Sequence, residues 1–434
     1  MLKDFPGNLA SALTAGGDSR LDIGGLSGLN KYLCPALPDP GIVCASSCTA
    51  SPIEQNSFDA AAACFDALSG AASVRSRSML LSEQTRRVER YLLRYFQADG
   101  LADAMLCPSG TDAVLTAAGL LAAERGGAPL TAILPSASET GTGVPLAASG
   151  RLFDGPCQGQ IITPAEIGTL EVALRGPDGS PLPDDAVDAA YASAVSAASG
   201  RAVVYLTYGT KTGLIAPHDP PAGAEVIVDA CQARIDPARV AAYLRRGWPV
   251  VVTGSKFFGG PAFSGAVLFP VARRIAGLNR NVPGMGTVLR WIAAVEAMER
   301  FSGAAEDAAK FLDRRIAAVE HEIMANPALV PIGGLARNGP HWADRPSIVT
   351  FAVRDARKAG RLLPVKDLKL IHERLAHGGV LLGQPVSLGA FGGLRVAIGA
   401  RDVVHGAIDE ADRLLEAIRG LRNEPAAGLA VAAE

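Results

Sequence analysis

A carboxylate and an amine each stand just after an apolar, strand-like run in this 434-residue sequence. Asp229 follows the run at 226–228, and Lys256 follows the run at 249–253. In open α/β sheets, ligands bind where parallel strands end. A buried carboxylate needs a cationic or hydrogen-bonding partner there, and a lysine among apolar neighbours becomes a nucleophile that forms Schiff bases. Taken singly, Asp229 also suits a helix N-cap, and Lys256 also suits a surface turn.

A third segment, Cys-Pro-Ser-Gly-Thr-Asp at 107–112, lies between an apolar run and an Ala/Leu-rich helical stretch. A strand that passes through glycine into a helix presents free backbone N–H groups and the positive end of the helix. Such a turn can bind a phosphate, although any strand-glycine-helix turn has these features. The phosphate turn, Asp229 and Lys256 occur in this order along the chain, each at a strand end. Together they are a more specific signal of a ligand site than any one of them alone.

The elements that position these residues follow from apolar runs and from helical periodicity. We predict strands at 104–107, 131–134, 202–207, 225–228, 250–253 and 265–269. We predict helices at 82–98 (capped by Ser82), from the phosphate turn to about 124, at 184–198 and at 236–246. Short apolar strands separated by helices are typical of an α/β fold with a mainly parallel sheet that is buried on both faces.

After about residue 303 the pattern indicates a smaller α+β unit. Its predicted elements are a helix at 303–326, a strand at 348–353, a helix near 365–377, a strand at 394–398 and a helix from 402 to about 420. We therefore expect an N-terminal segment (1–55), a large domain (56–302), a small C-terminal domain (303–423) and a tail (424–434).

The three motifs together resemble fold-type I pyridoxal-phosphate (PLP) enzymes, and among them the class V aminotransferase and cysteine desulfurase group. The resemblance covers about residues 80–400 and is strongest at 105–113 and 226–266. It implies a large domain with a sheet of the seven-stranded type, PLP as the cofactor, Lys256 as its Schiff-base residue and Asp229 as the partner of its ring nitrogen.

The resemblance also assigns roles to other residues by their match to the group's motifs. It places Gly110 and Thr111 at the cofactor phosphate, Gln232 at the phenolic oxygen, and Thr253 and Ser255 in the turn before the lysine. It implies a homodimer in which Gly286 and Thr287 complete the phosphate site of the neighbouring subunit. Arg395 matches the arginine that binds the α-carboxylate of the substrate through a bidentate pair. In the N-terminal segment, the candidate substrate contacts are Arg20, Asn30, Lys31 and Tyr32, for which an ordinary surface loop is an equal alternative.

Two departures from the group's pattern bear on the reaction type. Where related enzymes stack a histidine on the cofactor ring, this sequence offers Glu139 or Thr140. The desulfurases carry a cysteine on a mobile loop before the carboxylate-binding arginine, and the segment 378–394 contains no cysteine. Cys34 could reach an active site, but an ordinary core position is favoured. Desulfurase activity is therefore disfavoured.

Composition restricts the class of partner. Hydrophobic residues make up 49% of the chain and the formal net charge is −2, so there is no electrostatic footprint for nucleic acid or for an anionic membrane. No apolar run approaches the roughly 18–20 residues of a membrane helix. Seven scattered cysteines suggest a reducing, cytoplasmic location. Cys44 and Cys48 lack a second ligand pair, so we expect no metal site.

We therefore expect a PLP-dependent enzyme that acts on an α-amino acid or a derivative. Aminotransfer, the commonest chemistry of the group, is favoured narrowly over elimination or replacement at the β- or γ-carbon. A non-catalytic PLP-fold protein is the main rival from another class. A nucleotide-binding protein is a weaker one, because the sequence has neither G-x-G-x-x-G at a helix start nor a G-x-x-x-x-G-K-[ST] loop.

Overall fold

The computed structural model describes residues 6–25, 27–273, 283–334, 339–356, 358–406 and 408–421, so the predicted tail at 424–434 lies outside the described residues. A large sheet is formed by strands β2 (Ala102–Cys107), β3 (Leu130–Pro135), β4 (Ile167–Val172), β5 (Arg201–Tyr208), β6 (Ile215–Ala216), β7 (Glu225–Ala230), β8 (Val250–Thr253) and β9 (Gly265–Pro270). Its order is β2-β9-β8-β7-β5-β3-β4, with β6 on β5. All pairs from β8 to β4 along this path are parallel, and β9 is antiparallel to both neighbours. The predicted mainly parallel sheet is confirmed.

Apolar side chains fill both faces of this sheet, as continuous apolar runs require. Along β7, Val226 and Val228 belong to one core cluster, whereas Ile227 between them belongs to another. The helices of the large unit are α2 (Gln55–Ser69), α3 (Val74–Tyr95), α4 (Gly110–Glu124), α5 (Val144–Ala148), α6 (Asp184–Ala197) and α7 (Pro237–Arg245). Helices α4 and α5 pack on the Ile227 face, and α3 and α7 pack on the other. Within the described ranges, no helix is both long and apolar enough to cross a membrane.

A second sheet combines one strand from the N-terminal part of the chain with four strands from the C-terminal part. Its strands are β1 (Val43–Ala45), β10 (Leu329–Ile332), β11 (Ile348–Val353), β12 (Val380–Ser387) and β13 (Gly392–Ala397), in the order β1-β12-β13-β11-β10. Strand β1 runs parallel to β12, and the other pairs are antiparallel. The remaining helices are α1 (Leu9–Thr14), α8 (Met285–Ala325), α9 (Val365–His377), α10 (Ala400–His405) and α11 (Ile408–Arg419). The sheet positions Arg395, which lies on β13 opposite Thr350.

Three predicted helices differ from the structure. Helix α3 begins at Val74, because Ser73 caps it by accepting a hydrogen bond from the N–H of Ser76 at 3.0 Å, whereas Ser82 lies inside the helix and donates to the carbonyl of Ser78. The helix predicted from 303 begins at 285 and is one continuous element of 41 residues. The predicted final helix is two helices, because Gly406 adopts a left-handed conformation (φ 58°) at the end of α10.

Candidate active site

One cavity lies beyond the carboxyl ends of β3, β5, β7 and β8, where α/β folds place ligands. Most of the predicted site residues line it: Arg20, Lys31, Tyr32, Gly110, Thr111, Glu139, Thr140, Asp229, Gln232, Thr253, Ser255, Lys256 and Arg395. They come from strand ends in the large sheet, from the N-terminal segment and from β13 of the small sheet. The fold therefore collects in one place groups that are far apart in the sequence.

Asp229 and Lys256 stand at the ends of neighbouring parallel strands, β7 and β8. The side chain of Asp229 is buried, and its Oδ1 accepts a hydrogen bond from the N–H of Cys231 at 3.0 Å, which leaves Oδ2 for a ligand. Lys256 is half-buried on the turn after β8. The next residue, Phe257, is fully buried and stacks on Trp342 with ring centroids 4.5 Å apart, so the turn is anchored from behind. This packing fixes the lysine at the cavity wall.

The predicted phosphate turn is the beginning of helix α4. Ser109 is its N-cap, and a capping box joins its hydroxyl and backbone N–H to Asp112. The first N–H groups of a helix have no partner inside the helix. The N–H of Asp112 is taken by Ser109 at 3.1 Å, so the N–H groups of Gly110 and Thr111 are left for an anion. Gly110 packs so closely that a Cβ atom there would lie 2.8 Å from Sγ of Cys231.

Gly265 holds this turn against β9, and we expect its replacement by alanine to destabilise the protein by about 1–3 kcal/mol, as overpacking does. A Cβ atom at Gly265 would overlap the carbonyl group of Ser109 and approach the backbone nitrogen of Gly110. Urea unfolding of the cofactor-free protein measures the loss. Gly303→Ala is the control, because nothing lies within 4 Å of a Cβ atom there and alanine favours the helix. Equal stability of the Gly265→Ala variant and the wild type would contradict this packing.

Gln232 is buried beside Asp229, but its polar atoms already have protein partners. Its Nε2 donates to the carbonyl of Cys48 at 3.0 Å, and its Oε1 accepts from Nη1 of Arg234 at 3.0 Å. An amide nitrogen has two hydrogens, so one remains for a ligand. The role of Gln232 at the phenolic oxygen of PLP stays a prediction.

Glu139 lines the cavity, yet its charge is neutralised within the protein. Nε of Arg175 lies 2.6 Å from Oε1 of Glu139, and the hydroxyl of Thr212 donates to Oε2 at 2.7 Å. Both side chains of the ion pair are buried. The adjacent Thr140 is also buried, and its hydroxyl has no hydrogen-bond partner among the residues that the structure describes. The hydroxyl of Thr207, opposite Asp229 in the sheet, likewise lacks a partner. Both threonines line the cavity.

Arg395 reaches the cavity wall from the small sheet and is almost fully buried. Its Nε and Nη2 donate to the carbonyl of Gln384 at 3.0 and 2.6 Å, Nη2 also donates to the hydroxyl of Thr49 at 2.9 Å, and Nη1 donates to the carbonyl of Lys211 at 2.9 Å. A guanidinium group has five N–H groups, so one on Nη1 remains for a ligand. These bonds fix the orientation of the guanidinium plane, as recognition of a carboxylate requires.

The N-terminal segment supplies one wall of the cavity, but not all of its predicted contact residues line that wall. Asn30 is not among the lining residues, because its Oδ1 accepts from the N–H groups of Tyr32 and Cys34 at 2.9 and 3.2 Å. Asn30 thus shapes the loop that presents Lys31 and Tyr32, and its role as a substrate contact stays a prediction. Arg20 lies over the ring of Phe263 at 4.8 Å from its centroid and is paired with Asp18.

Gly286 and Thr287 lie in the first turn of α8, outside this chain's cavity. Thr287 is 1% exposed, and its hydroxyl accepts from Nη2 of Arg290 at 3.3 Å. Nη1 of Arg290 donates to the carbonyls of Leu13 and Ala15, so the N-terminal segment covers this turn. Within one chain the two residues are enclosed by their own N-terminal segment. Their role in the site of a neighbouring subunit stays a prediction.

Sequence reasoning missed several lining residues, of which Lys211 is the most consequential. It follows β5 in the segment Tyr-Gly-Thr-Lys-Thr-Gly at 208–213, and its Nζ donates to the carbonyl of Ala137 at 2.9 Å. A lysine between glycines after an apolar strand is the same signal that identified Lys256. The pKa of Lys211 is lowered to about 8, chiefly by burial and also by the charges of Arg395 and Lys256, against the opposing charge of Glu139. Other lining residues that the sequence analysis did not single out include Thr49, Thr207, Phe263 and Gln384.

The sequence matches no protein-family model and no curated protein. Its fold, however, is similar to those of solved structures. The cysteine desulfurase CsdA from Escherichia coli has a TM-score of 0.57 and 16% identity, over 89% of this chain and 95% of that one. The cystine C-S lyase C-DES, in complex with cysteine persulfide, has a TM-score of 0.56 and 13% identity, over 88% and 98%. TDC from Oryza sativa, with PLP and tryptamine, has a TM-score of 0.52 and 14% identity, over 86% and 83%. The chain therefore has the fold-type I architecture that these enzymes share.

Proposed function

We propose that this protein is a PLP-dependent enzyme that acts at the Cα atom of an α-amino acid or a derivative, with transamination as the first reaction to test. The observation that carries the proposal is the convergence of Lys256, Asp229 and the free N–H groups of Gly110 and Thr111 in one cavity. An amine, a carboxylate and an anion-binding helix end are the three groups that PLP requires of a protein. Two solved structures of the same fold have PLP in their descriptions, one of them a C-DES variant with glycine covalently linked to it.

The donor set of the cavity fits this cofactor. The N–H groups at the start of α4 would hold the phosphate, the free Oδ2 of Asp229 would accept the ring N–H, and Lys256 would hold the aldehyde carbon covalently. The buried hydroxyls of Thr140 and Thr207 line the same cavity and have no hydrogen-bond partner in the described part of the chain, which is costly unless a ligand supplies one. No imidazole is placed at Glu139, and the carboxylate there is paired with Arg175.

Each residue then has a separable task. Bound PLP supplies an electron-withdrawing ring that stabilises a carbanion at the substrate Cα. Asp229 keeps the ring nitrogen protonated, and Arg395 orients the substrate through its α-carboxylate. Lys256, when its amine is released, removes and returns the proton at Cα. Glu139 takes no part in proton transfer, because Arg175 and Thr212 already bind both of its oxygens.

The visible absorbance spectrum of the PLP-treated protein tests the cofactor and its lysine together. We expect a band that borohydride bleaches, and a reduced peptide that carries the pyridoxyl mass on Lys256. Lys256→Ala should lack this band because it cannot bind PLP covalently. Lys211→Ala is the matched control, since it removes the other half-buried lysine of the cavity, and it should keep the band. A wild-type protein without a band would favour the non-catalytic alternative, and a label on Lys211 would overturn the assignment of the lysine.

Elimination at the β-carbon is the second candidate, because one of the similar structures is described as a cystine C-S lyase. Incubation of the loaded protein with a panel of α-amino acids separates the two reactions. Transamination gives a keto acid, releases no ammonia, and leaves the cofactor in its amine form until a keto acid restores it. Elimination gives ammonia and a released leaving group while the aldehyde form of the cofactor is retained.

A further inference from the structure

Lys211 is a second lysine in the cavity that the proposed reaction does not use. The only hydrogen bond from its Nζ in the described part of the chain goes to a neutral group, the carbonyl of Ala137 at 2.9 Å. An ammonium group has three donors, so two remain. Among the described residues, Lys211 forms no ion pair. A half-buried cation without an anionic partner is unfavourable unless a ligand brings the opposite charge.

The charge balance of the cavity shows where a ligand's negative charge is needed. The cations that line it are Arg20, Lys31, Lys211, Lys256 and Arg395, whereas the lining carboxylates are Glu139 and Asp229. The charge of Glu139 is balanced by Arg175 at 2.6 Å, and Arg20 is balanced by Asp18. Asp229 is assigned to the cofactor ring. The lining carboxylates therefore do not balance the positive charges of Lys211, Lys31 and Arg395, and these charges are available to bind an anionic substrate.

Lys211 and Arg395 are joined within one wall of the cavity. Nη1 of Arg395 donates to the carbonyl of Lys211 at 2.9 Å. Lys31 is connected to the same wall, because Nε2 of Gln384 donates to its carbonyl at 2.9 Å while the carbonyl of Gln384 binds Arg395. Arg395 has one free N–H group for a carboxylate, and the two free donors of the neighbouring Lys211 amine are suited to a second anionic group.

We propose that the substrate is an acidic amino acid, whose side-chain carboxylate or similar acidic group forms a salt bridge with Lys211 while Arg395 binds its α-carboxylate. This inference rests on the proposed PLP-dependent function and narrows it to a substrate class. Lys31, which is exposed at the same wall, adds positive charge to the approach of such a substrate.

The protonation of Lys211 makes the affinity for such a ligand dependent on pH. Its pKa is lowered to about 8 by burial and by the charges of Arg395 on β13 and Lys256 on the turn after β8, against the opposing charge of Glu139. Below pH 8 the amine is charged and binds an anion, and above pH 8 the free protein loses this charge. We therefore expect the affinity to fall as the pH rises through about 8.

Isothermal titration calorimetry of the PLP-loaded protein with succinate and glutarate tests the inference. These diacids have no amine and cannot react. Their neutral-ended counterparts, succinamate and glutaramate, keep the size and lose one charge. We expect at least one diacid to bind about tenfold more tightly than its amide. Lys211→Met should abolish that preference, and Lys211→Arg should keep it without the loss above pH 8. Lys310→Met, an exposed lysine on α8, is the control and should retain the wild-type ratio.

The outcomes separate this inference from the function on which it rests. Absence of the absorbance band in the wild type means that the proposed function has failed. A wild type with the band but with equal affinity for diacid and amide overturns the acidic-substrate inference alone, as does a Lys211→Met variant that keeps the preference. If the methionine variant folds poorly, the pH dependence of the wild type against that of Lys211→Arg decides, because equal profiles would exclude titration of Lys211.

Discussion

Replacing Asp229 with alanine is expected to reduce turnover of an accepted amino acid by about 10²- to 10³-fold, the range for removal of one preorganised charge from an active site. The carboxylate is buried at the end of β7, held by the N–H of Cys231, and directed at the cavity. Without it, the ring nitrogen of PLP loses the anion that keeps it protonated. The exchange of the Cα hydrogen for deuterium, followed by NMR, measures this effect directly.

Asp229→Asn separates charge from shape in the same experiment. The amide can still accept the hydrogen bond from Cys231, so the fold at the end of β7 should be unchanged. We expect it to lose nearly as much activity as the alanine variant, with PLP still bound to Lys256. Cys231→Ala, which changes a lining residue without charge, should retain most of the activity. If Asp229→Asn kept the wild-type exchange rate, the ring-nitrogen role of Asp229 would be wrong.

Arg175→Met should destabilise the protein by about 3–5 kcal/mol, because it leaves the carboxylate of Glu139 buried without its cation. Arg175 is 8% exposed and Glu139 is 2% exposed, and Arg175 also donates to the hydroxyl of Thr212 at 2.8 Å. Urea unfolding of the cofactor-free variants measures the loss. Adding Glu139→Gln should recover part of the stability, since the double variant no longer buries a lone charge.

The ion pair between Arg419 and Glu322 is a control, because it has the same groups as the Arg175–Glu139 pair but lies at the surface. The guanidinium of Arg419 contacts Glu322 at 2.6 Å, but the side chain is 59% exposed, and exposed ion pairs contribute about 0–1 kcal/mol. Arg419→Met should therefore shift the unfolding transition little. Equal shifts for Arg175→Met and Arg419→Met would show that burial does not set the strength of the Glu139 pair.

The sequence predicted the strands that are buried on both faces better than the strands that are exposed or interrupted. Strands β3, β5, β7, β8 and β9 were located to within about two residues, because strands buried on both faces are continuous apolar runs. Strand β4 was missed because it lies at the edge of the sheet, where three of its residues are exposed. Strand β12 was missed because Gly383 and Pro385 interrupt its apolar pattern.

Helix α8 shows how a change of periodicity can be mistaken for a boundary. From Val288 to Phe301 it is buried on most sides, whereas after Gly303 its buried residues recur every three or four positions, as at Leu312 and Ile316. A buried stretch and an amphipathic stretch look like two elements in the sequence, although both belong to one helix.

Residues of the candidate site could be predicted where the signal lies in the sequence directly around them. Lys256, Asp229, Gly110 and Thr111 follow apolar strands, and that position alone directs them to the cavity. The neutralisation of Glu139 was not predictable, because its partners Arg175 and Thr212 lie 36 and 73 residues away. For the same reason, the prediction that places Glu139 at the cofactor does not include the balance of its charge by Arg175.

The long-range contacts of the N-terminal segment affect the order in which the parts of the cavity form while the chain is being synthesised. Strands β7 and β8, which carry Asp229 and Lys256 at their ends, are complete once the middle of the chain has been made, although Trp342, which anchors the lysine turn, follows later. The wall that carries Lys31 and Thr49 is made first, but the contacts that fix it come from Arg290, β12 and Arg395 near the other end. Such pairings over hundreds of residues form late in folding. A nascent chain thus carries Asp229 and Lys256 well before the wall with Lys31 and Thr49 is held beside them.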